Sequence, residues 1–285
     1  MTEAALRATA AAWLAAGRSA RVVQVLRHRG SVPREAGTRM LVAADAVAGT
    51  IGGGHLEWQA IQQARVRLRL GEPAAERDIA LGPTLGQCCG GALTLRDGPL
   101  DAAALAAWPL PVPLFTLQLY GAGHVGRAIV ALLAGIDCRV MWIDERDEAF
   151  PAEAALPPHI EHLCVEPAAA EVQAAAPGSL ALIMTHSHEL DLAICAAALR
   201  SDDLAWVGLI GSATKRARFE RRLLDRGVAP ERVAALACPI GVPGVTGKQP
   251  EVVAVAVVAQ LLQVAGRHAA AAGQTNWIKD SRRSD

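Results

Sequence analysis

The chain has 285 residues, 52% of them hydrophobic and 20% charged, a composition that excludes a disordered or fibrous protein and leaves room for two domains with cores of their own. Lys and Arg balance Asp and Glu at 28 each, so no overall field draws in nucleic acid or an anionic membrane. The six cysteines form no CxxC pair, the apolar runs read as too short to span a membrane, and residues 1–7 lack an export pattern, which together point to a cytoplasmic protein with reduced thiols.

Residues 3–16 are alanine-rich, with Leu6, Trp13 and Leu14 at helical intervals and Gly17 where a C-terminal cap belongs, and so predict a helix. Residues 21–27 alternate around Val23 and Val25, 38–42 carry β-branched and apolar side chains, and 47–51 can return as a hairpin partner across Ala44-Asp45. Residues 55–70 place Leu56, Ala60, Ile61, Ala64 and Leu68 on one side with arginines elsewhere, an amphipathic helix. Two further strands, 76–81 and 92–96, flank a glycine-rich loop. Residues 1–108 therefore read as a small α+β domain with a mixed sheet. Pro109, Pro111 and Pro113 resist both helix and central strand, which makes 109–113 a stiff linker.

From Leu114 the strand and helix patterns alternate. Strands are expected at 114–120, 139–143, 180–184 and 205–210, with a strand or loop near 160–165. Helices are expected at 125–134, 168–175, 189–199 and 215–226, and a closing apolar helix at 251–265 after Pro250. Repeated βα units imply an α/β domain over 114–272, a Rossmann-type doubly wound parallel sheet, with 273–285 as a polar tail.

At the first strand-to-helix joint, Gly121-Ala122-Gly123-His124-Val125-Gly126 is the dinucleotide-binding fingerprint in its proper context. Gly121 permits the tight turn, Gly123 lets the backbone approach a pyrophosphate, and Gly126 allows close helix packing. His124 opens the helix whose free N–H groups face an anion. Asp144, at the end of the next strand, is placed to accept ribose hydroxyls and to repel a 2′-phosphate, so this half suggests NAD or another nucleotide. Glycine turns of this kind also serve joints that bind nothing.

The first half carries three glycine-dense loops, at 29–39, 49–55 and 82–91. Gly52-Gly53-Gly54 precedes a helix and offers N–H groups to a phosphate, with Arg34 and Arg39 as forked donors to complete the site; the bland alternative is that these glycines only make turns. In the third loop, Gln87-Cys88-Cys89-Gly90 sets two thiols where a ligand can approach, soft donors suited to molybdenum, copper, zinc or a persulfide sulfur. Adjacent cysteines cannot build a tetrahedral zinc site. Cys138, Cys164, Cys195 and Cys238 lie among apolar neighbours and read as small core residues. Thr185-His186-Ser187-His188-Glu189-Leu190-Asp191 follows a strand, so His186 and His188 are candidate metal ligands or proton carriers, or the segment simply caps a helix. Gly211-Ser212, ahead of Lys215 and Arg216, is either another anion contact or a strand-to-helix turn.

Together these motifs resemble the XdhC/CoxI family of xanthine dehydrogenase accessory proteins. The resemblance rests on the loops at 30–39 and 49–57, on Gly86-Gln87-Cys88-Cys89-Gly90-Gly91, on the 121–126 turn, on Thr185-His186-Ser187-His188, on 208–215 and on Gly247-Lys248-Gln249-Pro250-Glu251. It implies a cytoplasmic chaperone, without turnover of its own, that binds molybdenum cofactor (molybdopterin). The factor holds the cofactor while a cysteine desulfurase supplies its sulfido ligand, then inserts it into apo xanthine dehydrogenase. On that implication Cys88 and Cys89 lie nearest the metal, and a homodimer is a further expectation. The rival readings are an NAD-dependent oxidoreductase with His186 as proton donor and a metallochaperone built on Cys88-Cys89.

Overall fold

The structure, a computed structural model, describes residues 1–81, 91–151 and 156–271, and the chain divides into two units between Pro111 and Val112. The Cys88-Cys89 loop and the tail from 273 lie outside the described residues.

In the first unit, α1 (Glu3–Ala15) starts at Thr2, whose hydroxyl accepts the Ala5 N–H at 3.1 Å. It leads into β1 (Ala20–Arg29), β2 (Arg39–Ala43) and β3 (Val47–Gly49), then α2 (Gly54–Leu70), β4 (Ala75–Ala80), β5 (Ala92–Pro99) and the short α3 (Ala102–Ala106). The five strands lie in the order β3-β2-β1-β5-β4, and every neighbouring pair is antiparallel. This corrects the expected mixed sheet. A helix between two strands suggests a parallel crossover, but α2 carries the chain from β3 at one edge to β4 at the other, so the strands it joins never pair. One face, with Val23, Val25, Met40, Val42 and Leu95, packs under Leu56, Ala60 and Ala64 of α2. The other, with Ala20, Leu41 and Ala43, packs against Leu6 and Ala10 of α1 and against Trp108. Arg21 and Asp97 are both buried and paired at 2.5 Å; Arg21 also donates to the carbonyls of Glu72 and Pro73, fixing the turn from α2 to β4.

The second unit is built from β6 (Thr116–Tyr120), α4 (His124–Leu133), β7 (Arg139–Asp144), β8 (Ile160–Cys164), β9 (Ser179–Ile183), α5 (His188–Arg200), β10 (Leu204–Leu209), α6 (Ala213–Asp225), α7 (Pro230–Ala234) and α8 (Pro250–Ala271). The strands are parallel in the order β10-β9-β6-β7-β8. Alternate residues face opposite layers. Leu117, Leu119, Val140, Trp142 and Leu182 meet α4 and α8, whereas Tyr120, Ile143, Ile183, Val207 and Leu209 meet α5 and α6. The sheet is thus doubly wound, and its order reverses beside β6, which opens a crevice at the carboxyl ends of the strands.

Two local expectations are corrected. Ala168–Ala174 is a 3₁₀ helix rather than an α-helix. The last helix extends to Ala271, and by length and composition its span Pro250–His268 could cross a membrane, contrary to the expected absence of such a run. Its Ala254, Val257, Leu261 and Val264, however, are buried in the same core as Ile129 and Leu133 of α4.

Candidate functional site

The glycine turn between β6 and α4 holds three glycines for two different reasons. Gly121 has φ +119, and a Cβ there would lie 2.3 Å from the Met184 carbonyl oxygen. A Cβ on Gly126 would lie 2.2 Å from the Gly121 carbonyl oxygen. Both answer to the packing of the chain on itself. Gly123 does not: its backbone is extended (φ −72, ψ −174), and no atom of the described residues lies within 4 Å of a Cβ built there. The space it leaves belongs to a cavity of about 300 Å³ lined by Ala122, Gly123, His124, Arg127, Arg146, Glu148 and Ala149.

Arg127 braces that cavity. Its Nε donates to the carbonyls of Ala122 at 3.1 Å and Ala149 at 3.0 Å, tying the glycine turn to the 3₁₀ turn Asp147–Ala149. His124 is exposed at the first position of α4. Asp144 ends β7 where the sequence places it, but buried and fully engaged. Its Oδ2 accepts the Ala122 N–H at 2.7 Å and Arg146 Nη2 at 3.0 Å, and its Oδ1 accepts the Arg146 backbone N–H and Nε, each at 3.0 Å. Burial pushes the Asp144 carboxyl up, but the Arg146 fork and the two backbone donors outweigh it and hold the group below the usual carboxylate range. The same pairing raises Arg146. Arg127, Arg146 and Glu148 are cavity residues that sequence reasoning missed; for Arg146, an arginine two positions beyond the fingerprint acid was the available signal.

At the Gly52 loop the structure separates residues that the sequence grouped. A Cβ on Gly52 (φ +122) would strike Pro33 at 2.4 Å and meet Arg34 Cγ at 3.5 Å, so Arg34 does lie beside the loop, exposed. Arg39 points elsewhere, donating to Glu3 at 3.0 Å and stacking 4.9 Å from the Trp108 ring. The loop amides are also closed: Glu57 Oε2 accepts the N–H groups of Ile51 and Gly53 at 3.0 Å each, and the Gly52 N–H donates to Thr50 Oγ1 at 3.1 Å. An incoming anion meets the Glu57 carboxylate rather than free donors at these three amides. Gly54 begins α2 with φ +67.

His186 and His188 are both exposed, and the segment caps α5 through Ser187, whose Oγ accepts the Leu190 N–H at 3.4 Å. The organising side chain there is Asp191, which is buried. It accepts the Thr185 N–H at 2.9 Å, the Thr185 hydroxyl at 2.8 Å and Lys215 Nζ at 2.7 Å, while Lys215 also donates to the Ile210 carbonyl at 2.9 Å. Lys215 is therefore engaged inside the fold rather than offered to an anion. Ser212 caps α6 by accepting the Lys215 N–H at 3.2 Å, and a Cβ on Gly211 would press on the Lys215 side chain at 2.7 Å.

Cys138, Cys195 and Cys238 are buried as expected. Cys164 is not a core residue: it ends the edge strand β8 on the exposed side. Partial desolvation and the carboxylates of Asp147, Asp144 and Glu148 raise its thiol. Among the described residues no group of three or more His, Cys, Asp or Glu is placed to hold a metal ion. Gln87, Cys88, Cys89 and Gly90 lie outside them.

Comparison with known proteins follows the same division. Residues 117–261 match the XdhC Rossmann domain and residues 13–78 match the XdhC and CoxI family. The chain is 34% identical over 256 residues to the protein of Escherichia coli (strain K12) called "Uncharacterized protein YqeB", an alignment that covers 85% of this chain and 43% of that one. The chain thus spans less than half the length of that relative. In fold it is similar to a solved structure from Bacillus halodurans described as a xanthine dehydrogenase, with a TM-score of 0.73 and 20% identity over 93% of this chain and 96% of that one.

Proposed function

This chain belongs to the XdhC and CoxI family, and from that membership we propose that it is a maturation factor for a molybdenum enzyme of the xanthine dehydrogenase type. In this reading it binds molybdopterin in the cytoplasm, holds it while a cysteine desulfurase partner supplies sulfur, and delivers it to the apo enzyme without turnover of its own. The observation that carries cofactor binding is Gly123, a glycine that neither backbone conformation nor packing requires, opening on a cavity walled by His124 and Arg146. These residues fit the anionic end of such a cofactor: a phosphate meets a guanidinium and the free N–H groups at the start of α4. The metal of the bound cofactor is soft, and Cys88 and Cys89 are the donors of matching character.

The chain's own residues then have defined tasks. Arg127 holds the two walls of the cavity at fixed separation, and Arg146 and His124 would hold the phosphate of a bound cofactor there. The rival reading, an oxidoreductase using NAD, has less support, because the carboxylate that would take the ribose hydroxyls, Asp144, gives both oxygens to donors of its own chain.

The test is to purify the protein from cells replete in molybdenum and assay the oxidised, fluorescent pterin it retains. Parent protein is expected to carry the pterin, and the Cys88→Ala/Cys89→Ala variant to lose most of it while keeping its circular dichroism. Parent protein that carries none contradicts the reading, and a double variant that retains the full amount removes the thiols from it.

A further inference from the structure

The fingerprint acid in a dinucleotide crevice ordinarily accepts ribose hydroxyls and keeps phosphate away, whereas a nearby arginine accommodates a 2′-phosphate. In this chain the two residues are paired with each other. Four donors converge on the two Asp144 oxygens, which fills the lone-pair positions of a carboxylate and cancels its charge. Arg146 spends Nε and one Nη2 hydrogen on that pairing. Three of the five N–H donors of its guanidinium remain, the side chain is 37% exposed, and it lines the 300 Å³ cavity. Arg127, the other guanidinium on that wall, donates to backbone carbonyls. Glu148 lines the same cavity, two residues beyond Arg146 and close enough to interact with it.

We propose that Arg146 is the receptor for a phosphate monoester, and that the crevice selects a phosphorylated organic cofactor over its dephosphorylated form. The inference rests on the crevice being a cofactor site, and it reverses the preference that Asp144 suggests when read without its partner. Two sources carry the group, the 2′-phosphate of a dinucleotide and the terminal phosphate of a pterin.

Calorimetric titration of the full chain separates them, with NADP against NAD as one pair and the oxidised pterin derivative of molybdopterin against its phosphatase-treated form as the other. In at least one pair the phosphorylated member is expected to bind about tenfold tighter or more, and Arg146→Ala to bring it down to the affinity of its partner. Because Arg146→Ala also strips Asp144 of its counter-charge, Arg146→Lys is measured beside it; Lys keeps the charge but not the fork, and is expected to lose most of the discrimination. Equal affinity within both pairs overturns the inference, as does the absence of binding in both. Discrimination that persists in folded Arg146→Lys and Arg146→Ala overturns it as well. Discrimination in the NADP pair alone upholds it while removing the pterin from this crevice. A pterin that copurifies and binds independently of Arg146 removes the inference and leaves the maturation-factor reading standing.

Discussion

Three glycines within six residues do unlike work, and substitution separates them. Gly126→Ala drives a methyl into the Gly121 carbonyl and is expected to cost about 2–3 kcal/mol, seen as a lowered Tm. Gly123→Ser puts a capping hydroxyl at the start of α4, where none exists, and is expected to leave stability within about 0.5 kcal/mol of the parent while weakening cofactor retention. Equal loss of stability in both variants refutes the assignment of Gly123 to a ligand. Asp144 sets a pH dependence of definite sign. Its folded pKa lies below the unfolded one, so its contribution is complete above about pH 4 and disappears as the pH falls through the folded value. Melting curves of parent and Asp144→Asn should therefore stay apart at pH 7, begin to approach below about pH 4 and meet only once the pH is below the folded value. Among the thiols, burial pushes Cys138 up to about 12 and raises Cys195 further, whereas Cys164 is exposed. Brief alkylation at mildly alkaline pH followed by peptide mapping is expected to label Cys164 ahead of both. The sequence misplaced Cys164 because apolar neighbours along the chain do not say which way an edge-strand side chain points.

At the level of elements, α5 and α6 are joined by the half-buried Lys215 on the buried Asp191. Removing one partner leaves the other charge buried, so Lys215→Met is expected to cost about 3–5 kcal/mol in urea unfolding, and Lys215→Met combined with Asp191→Leu to recover part of it. A double variant as damaged as the single one excludes that account. The cap at Ser187 was legible, because a hydroxyl ahead of a helical pattern has a local partner three residues on; the same caps at Thr2 and Ser212 emerged only in the structure. Glu57 was not legible as the residue that closes the Gly52 loop. Nothing in its position within an amphipathic helix shows that its carboxylate folds back on the amides of Ile51 and Gly53. The same blindness joined Arg34 and Arg39 into one site, although alternate faces of β2 carry Arg39 to Glu3 and Trp108.

At the scale of the molecule, each unit owns its cores, and no described core cluster mixes residues from the two. A fragment beginning at Val112 is accordingly expected to fold alone and melt cooperatively; a fragment without cooperative unfolding contradicts the division. By itself the sequence determined the alternation of strands and helices from Leu114 onward, and with it the doubly wound parallel sheet and the place of the glycine turn. Periodicity, caps and right-handed crossovers act over short stretches of chain, so these follow from local order. The tertiary structure decided the rest. It placed β3 and β4 at opposite edges of an antiparallel sheet, turned Asp144 from a ligand for ribose into a partner for Arg146, and drew Lys215 inward onto Asp191. Each of these depends on which hydrogen-bonding groups meet across space once the chain is packed, and a buried carboxylate takes whatever donors that packing brings within reach.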